Sequence, residues 1–485
     1  MDKKLSGEIL VASRIVDYLS SGLYESPAAC LKELVNNAYD ADATRVELFV
    51  KPDANRIIVT DNGSGMDSDD FKRNFSKISE SFKRETSDTT PSLRPKIGKI
   101  GIGFIAANEI CDVMQIISTK KGSKEKINIE INFHAMRLPP EERKKPDSSY
   151  TKADYEGTVT EADPEEHYTH IFLKDVRGPA QELLAGARSS GGTGSLYGLS
   201  HEAIAERLRD PNLRSWEDFD FYSRTMLEVA LNVPVRYVKN WASHKHSEQL
   251  KTFTTEVANL NFEVIFDGTE LLKPTVLHGT DRSFVQKFSH KGKHVSFRSY
   301  FYVQHGVLNP QDLNGVLIRI RNSAVGKYER GFLGFPNSTG TLFQRWISSE
   351  VWADDHLEHA MNIDRKTLRV THPAYLELVD AYHAQLRKVL VNARDVLYEQ
   401  PAKARKQIRQ AEDRRTIEKV AQAAKKIASD AVANQINLPS NYRKILRKYS
   451  GAELIDLVVR VANETLPPTQ RKTFIDALIA AVLKK

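Results

Sequence analysis

Apolar positions recur at helical spacing from residue 8 to residue 20, and Ser20-Ser-Gly22 closes that segment. Ser26-Pro27 opens a second helix with proline at a tolerated first-turn position. Within it Leu34, Ala38 and Ala41 form an apolar stripe suited to packing on a sheet. Its polar side carries Glu33, Asn37 and Asp40 at i, i+4 and i+7, so the three share one face. The period then changes to two. Residues 45–50 alternate like a strand, 52–55 form a turn, and 56–60 complete an antiparallel hairpin. Residues 67–97 are polar and rich in Ser, Thr and Lys, as a mobile segment is. Strand patterns resume at 113–118, 126–132 and 169–173.

Beyond residue 176 the pattern changes. Ser189-Ser-Gly-Gly-Thr-Gly-Ser195 reads as a flexible joint, and a helical stretch follows at 216–231. Strand-like runs at 233–238, 261–266 (with a turn at Asp267-Gly268), 295–303 and 315–321 then predict an α+β second domain. A helix at 373–399 is broken by Pro401. Ile417, Val420, Ala424, Ile427 and Ala431 recur in steps of three and four, consistent with a short coiled coil or an intramolecular helical hairpin. Residues 442–449, 452–464 and 468–483 read as a small helical bundle. The expected organisation is thus residues 1–180, 181–400 and a helical 401–485.

With 485 residues there is length for two to four domains. No apolar run approaches the ~20 residues of a membrane span, and residues 1–5 carry no secretory core. Cys30 and Cys111 sit in apolar contexts and read as buried thiols of a cytoplasmic protein. His244, His246, His290 and His294 show no metal spacing and read as surface residues. The net charge of +7 is unevenly placed: residues 401–485 hold 18 Lys and Arg against 8 Asp and Glu, a net of +10, which leaves −3 for the first 400. Attraction to a polyanion therefore belongs to the tail, densest at Arg443-Lys-Ile-Leu-Arg-Lys448. No zinc, helix-turn-helix or RNA-binding pattern accompanies it.

The candidate chemistry lies in the first 110 residues. A carboxylate able to activate water and an amide oxygen able to ligate Mg²⁺ stand on one helix face at Glu33 and Asn37. Asp61-Asn-Gly-Ser-Gly-Met66 places an acceptor at a strand end beside glycines that a flat ring can approach. Gly98, Gly101 and Gly103, in Lys96-Ile-Gly-Lys-Ile-Gly-Ile-Gly-Phe104, precede a helical pattern whose free N–H groups could hold phosphate. This is not a Walker loop, because no Gly-Lys-Ser/Thr follows. Nor is it a dinucleotide fingerprint, because no crossover unit surrounds it.

Together these motifs resemble the GHKL superfamily of gyrase, heat-shock chaperone, histidine kinase and mismatch-repair ATPases. Residues 33–41 look like its N box, 61–66 like its adenine motif and 97–104 like its phosphate lid, the last nearest to the ninety-kilodalton heat-shock chaperones. The resemblance covers roughly residues 8–175. It implies a Bergerat α/β sandwich of mixed, mostly antiparallel sheet under helices, followed by an α+β transducer-like domain and a helical C-terminal region. It implies Glu33 as general base, Asn37 as Mg²⁺ ligand, Asp61 as adenine acceptor with Gly63, Gly65 and Met66 against the ring, and Asp40 supporting the same pocket. Gly98, Gly101 and Gly103 would wrap the phosphates of ATP, Phe104 would pack the following helix, and Lys83 and Lys99 lie in or near the lid. Thr169 matches the last nucleotide motif without its preceding Gly, which is Tyr168 here. Farther on, Asn362-Ile-Asp-Arg365 looks like the chaperone loop that delivers an arginine to the γ-phosphate, the alternative being a salt bridge from Arg365 to Asp364 or Glu350. The resemblance implies an ATP-gated switch that dimerises or docks a second domain and serves a protein client or complex. A nucleic-acid-associated ATP clamp of the mismatch-repair or microrchidia kind, using the basic tail, is the other reading.

Overall fold

The computed structural model describes residues 26–50, 55–75, 89–98, 103–134, 155–184, 194–277, 280, 282–336, 344–362, 365–399, 405–412, 414–415 and 451–483. Helix α1 (Pro27–Asp40) begins after an extended Ser26, with proline in its first turn. Strands β1 (Arg45–Phe49), β2 (Arg56–Asp61), β3 (Cys111–Thr119), β4 (Glu125–Asn132), β5 (Tyr155–Glu161) and β6 (Tyr168–Val176) follow. Their alternation is expressed as a one-sided sheet. Val46, Leu48, Ile57, Val59, Met114, Ile116, Ile127, Ile129 and Leu173 are buried with Leu31, Leu34, Val35 and Ala38 of α1.

Helices α2 (Phe221–Asn232) and α3 (His244–Ala258) precede strands β7 (Glu263–Phe266) and β8 (Thr269–Glu270). The first sheet runs β5-β4-β3-β6-β2-β1-β7-β8, antiparallel except for the parallel β1–β7 pair. Residues 263–270, read from the sequence as part of a separate middle domain, thus complete the sheet begun at residue 45. Helix α2 also packs along α1. A second sheet contains β9 (Ser283–Lys291), β10 (Ser296–Gln304), β11 (Gly315–Ile320), β12 (Ser323–Glu329) and β13 (Ile347–Ala353), in the order β12-β11-β13-β10-β9. Helix α4 (Pro373–Arg394) follows it. Both sheets belong to one compact unit, residues 1–393; residues 394–485 form a second, which contains helices α5 (Gly451–Thr465) and α6 (Pro468–Leu483). No described helix is long and apolar enough to cross a membrane. The mixed sheet under helices is the α+β fold expected of a Bergerat domain.

Two local expectations change. Residues 233–238 form no strand, because Pro234 removes a ladder donor; Val233, Val235 and Val238 are apolar because they are buried in the core. His246 is buried, with Nε2 2.9 Å from Ser283 Oγ, and His290 pairs with Glu377 at 2.9 Å, so only His244 and His294 of that group are surface residues. The joint proposed at 189–195 lies largely outside the described residues. So do the segments at 8–20, 417–431 and 442–449.

Candidate active site

The end of α1 is where the site begins. Asp42 takes a left-handed φ of 64° directly after the helix. The Arg94 guanidinium fills the space beyond the helix end. It donates to Ala43 O at 2.8 Å and to Asp42 Oδ1 at 3.1 Å, and it lies 4.6 Å from the centroid of the Tyr39 ring. A cation there complements the negative end of the helix dipole and holds the polar face of α1 at a fixed height against the sheet.

Along that face Glu33, Asn36 and Asp40 are buried and Asn37 is half-buried. Asp40 faces the Gly-rich segment. Its Oδ1 accepts from Ile97 N at 2.6 Å and its Oδ2 from Gly98 N at 2.8 Å, so it holds the start of the Gly-rich segment. Glu33 Oε2 lies 3.9 Å from Arg365 Nη1, and Arg365 Nη2 donates to Ile97 O at 2.6 Å. Arg365 itself sits in a tight turn at φ 52°, its N–H bonded to Asn362 O. Of the two ion pairs open to it in the sequence, Glu350 is taken by Arg319, and Asp364 lies outside the described residues.

The Asp61 motif lies at the end of β2. Cross-strand pairing sets Asp61 opposite Thr169 on β6, and Thr169 opposite Ser118 on β3. Thr169 is buried, with Oγ1 3.2 Å from Ser118 Oγ. Asp61 Oδ1 accepts from Gly63 N at 2.9 Å, and among the described residues no hydrogen bond reaches Oδ2. Burial pushes the Asp61 carboxyl up to about 7, against the Gly63 N–H and the nearby His167, which favour the charged form. His167 Nδ1 in turn bonds Gly63 O at 2.7 Å. Gly65 has φ 66°, and a Cβ there would stand 1.8 Å from Thr119 O, so the loop lies flush on the sheet. Met66 is half-buried on the core, with its N–H donated to Ser118 Oγ at 2.9 Å.

The structure therefore gathers Glu33, Asp40, Gly98 and Arg365 around the root of the Gly-rich segment, and Asp61, Gly63, Gly65, Met66 and Thr169 around the β2 end. Gly103 starts a short 3-10 helix at Gly103–Glu109. The Phe104 side chain, Lys83, Lys99 and Gly101 lie outside the described residues. Sequence reasoning missed Ser118, His167 and Asn36. Ser118 is recruited by strand register, and His167, just before β6, by its bond to Gly63 O. Asn36 is 1% exposed and neither of its amide atoms has a hydrogen-bond partner. An orphaned buried amide on the face of Glu33 and Asp40 is what a site completed by a polar ligand leaves behind. Among the described residues no group of three His, Cys, Asp or Glu could hold a metal by itself.

Residues 24–169 match the family described as histidine kinase-, DNA gyrase B-, and HSP90-like ATPase. A protein of Herpetosiphon aurantiacus assigned as the type II restriction enzyme HgiDII is 36% identical over 115 residues, 24% of this chain and 18% of that protein. The chaperone protein HtpG of Vesicomyosocius okutanii is 29% identical over 136 residues, 24% of this chain and 22% of the chaperone. HtpG of Bacillus subtilis is 26% identical over 136 residues, 24% of this chain and 21% of the chaperone. The match thus spans about a fifth of each relative. Motifs, sheet and family match coincide on one stretch of chain: residues 24–169 are similar to the histidine kinase-, DNA gyrase B-, and HSP90-like ATPase domains.

Proposed function

We propose that this chain binds and hydrolyses ATP as a conformational switch, with the Gly-rich segment closing over the nucleotide and residues beyond the second sheet completing the site. One observation carries the reading: Arg365, remote in sequence, stands 3.9 Å from Glu33 across the root of that segment. Glu33 acts as general base, polarising a water held in line with the γ-phosphate. Asp61 accepts from the adenine amino group, beside Thr169 and over the flat backbone of Gly63, Gly65 and Met66. Gly98, Gly101 and Gly103 present backbone N–H groups to the phosphates, with Lys83 and Lys99 nearby. Asn37 would hold Mg²⁺, whose charge offsets that of the triphosphate. The unpartnered amide of Asn36 fits a polar site on that face.

In this reading Arg365, which faces Glu33, turns to the γ-phosphate when ATP arrives, tying turnover to the docking of Arg365 on the domain. Closure would create the surface for a nucleotide-dependent dimer, and the chaperone relatives support a protein client or complex partner. Calorimetry and turnover assays test this. Asp61→Asn is expected to abolish the heat of ATP binding. Arg365→Ala is expected to lower turnover at least about tenfold while changing affinity less. An Arg365→Ala protein with unchanged turnover removes its role.

The +10 balance of residues 401–485, with a relative described as a restriction enzyme, favours a second reading in which the switch clamps nucleic acid.

A further inference from the structure

Two successive peptide units at the root of the Gly-rich segment are each held on both sides by charged side chains. The 96–97 unit gives its N–H to Asp40 Oδ1 and its carbonyl, Lys96 O, to Arg321 Nη1. The 97–98 unit gives its N–H to Asp40 Oδ2 and its carbonyl, Ile97 O, to Arg365 Nη2. Asp40 belongs to the helix that carries Glu33, whereas both arginines come from beyond residue 315.

Arg321 has no counterpart among the motifs read from the sequence. With Asn322 it forms the two-residue β11–β12 turn, both residues in the left-handed region at φ 51° and 65°. Such turns favour Asn and Gly, and their side chains ordinarily face solvent. Here the Arg321 side chain is only 4% exposed. Its Nε donates to Asp355 Oδ1 at 2.8 Å, and Glu358 Oε2 lies 3.2 Å from its Nη2 as an ion-pair partner outside hydrogen-bond geometry, so one directed bond and one nearby charge hold the guanidinium independently of the Gly-rich segment. Lys32, next to Glu33, adds a parallel tie by donating to Ala324 O at 2.9 Å. Lys32, Ile97, Arg321, Glu358 and Arg365 line a single small cavity at this junction.

We propose that Arg321 is a positioning residue for ATP turnover: held by Asp355 and Glu358, it fixes the 96–97 peptide, and with it the two amides bound by Asp40 on the helix that carries Glu33, while the β11–β12 turn is docked. This rests on the reading of the chain as an ATPase with Glu33 at the reacting phosphate. It differs from the role given to Arg365, because Arg321 holds Lys96 O, Asp355 and Glu358, whereas Arg365 faces Glu33. A guanidinium is required, since one ammonium cannot reach two carboxylates and a carbonyl in fixed directions.

The test uses the full chain with Arg321→Ala and Arg321→Lys. Turnover at saturating ATP, affinity for a non-hydrolysable ATP analogue, melting temperature and amide hydrogen exchange at residues 96–98 are measured together. Both variants are expected to lose at least about tenfold in kcat with affinity changed less than about threefold, and to exchange the Ile97 and Gly98 amides faster. A purely structural anchor would lower the melting temperature without that split, and Arg321→Lys would restore kcat. Unchanged kcat and exchange in either folded variant overturns the proposal. If neither folds, Asp355→Asn with Glu358→Gln releases the guanidinium and leaves the turn intact, and the same readouts decide. Absence of turnover in the wild-type chain defeats the ATPase reading. Slow exchange at 96–98 that persists in Arg321→Ala defeats this one.

Discussion

Asp61 holds its proton at neutral pH far more readily than a carboxyl in water, and the ionised form is the stronger acceptor for an adenine amino group. Affinity for adenosine, whose own groups do not titrate near neutrality, should therefore fall about tenfold between pH 8 and pH 6, the range that brackets the carboxyl at about 7. A flat profile in a competition assay would show that Asp61 is not the acceptor. The sign for folding is opposite. Between the ordinary 3.8 and about 7 the native carboxyl binds a proton the unfolded chain has released, so the Asp61 contribution weakens the nucleotide-free fold as pH rises through that window. Gly65→Ala meets both a left-handed φ and the Thr119 carbonyl, and should cost roughly 2–4 kcal/mol in a melting experiment. These positions were legible because their requirements are local: a helical period for Glu33, Asn37 and Asp40, and backbone freedom for Gly63 and Gly65. Ser118, His167 and Asn36 were not, since only the β6–β3 register, the loop before β6 and helix packing bring them to the site. Asp40 was located by its period but not in what it holds, because its partners are backbone amides 57 and 58 residues away.

At the scale of elements, the second sheet is tied to the first through a buried charge. Glu350 accepts from Arg319, Tyr237 (2.8 Å), Tyr300 (3.0 Å) and Tyr328 (3.0 Å), with both charged side chains wholly excluded from solvent. Arg319 and Ser323 then donate to Leu231 O and Asn232 O at 3.0 and 3.1 Å, and Lys273 to Val233 O at 2.6 Å. The end of α2, which packs along α1, is thus capped by three side chains of the following region. Glu350→Ala leaves Arg319 buried and unpaired and should destabilise by about 3–5 kcal/mol, against about 1 kcal/mol for Tyr328→Phe, measured by denaturant unfolding. Equal losses would show that the carboxylate is not the hub. The runs at 261–266, 295–303 and 315–321 were readable and appear as β7, β10 and β11, whereas β9, β12 and β13 were not read. Assignment to sheets was not readable, because β7 pairs with a strand more than 200 residues earlier.

At the scale of the whole molecule, the charge separation gives a clean experiment. If the tail binds nucleic acid, affinity for duplex DNA should fall steeply with salt, and removing residues 394–485 should remove that dependence while leaving ATP turnover. No binding at low salt would retire the clamp reading and leave the switch. The account itself depends on Glu33 activating water within a site built from α1, the β2 end and the Gly-rich segment. The most direct measurement is hydrolysis by Glu33→Ala at saturating ATP, beside its ATP affinity. The account predicts affinity within about threefold of wild type and turnover reduced at least about a hundredfold. A Glu33→Ala protein that hydrolyses ATP at the wild-type rate would contradict it.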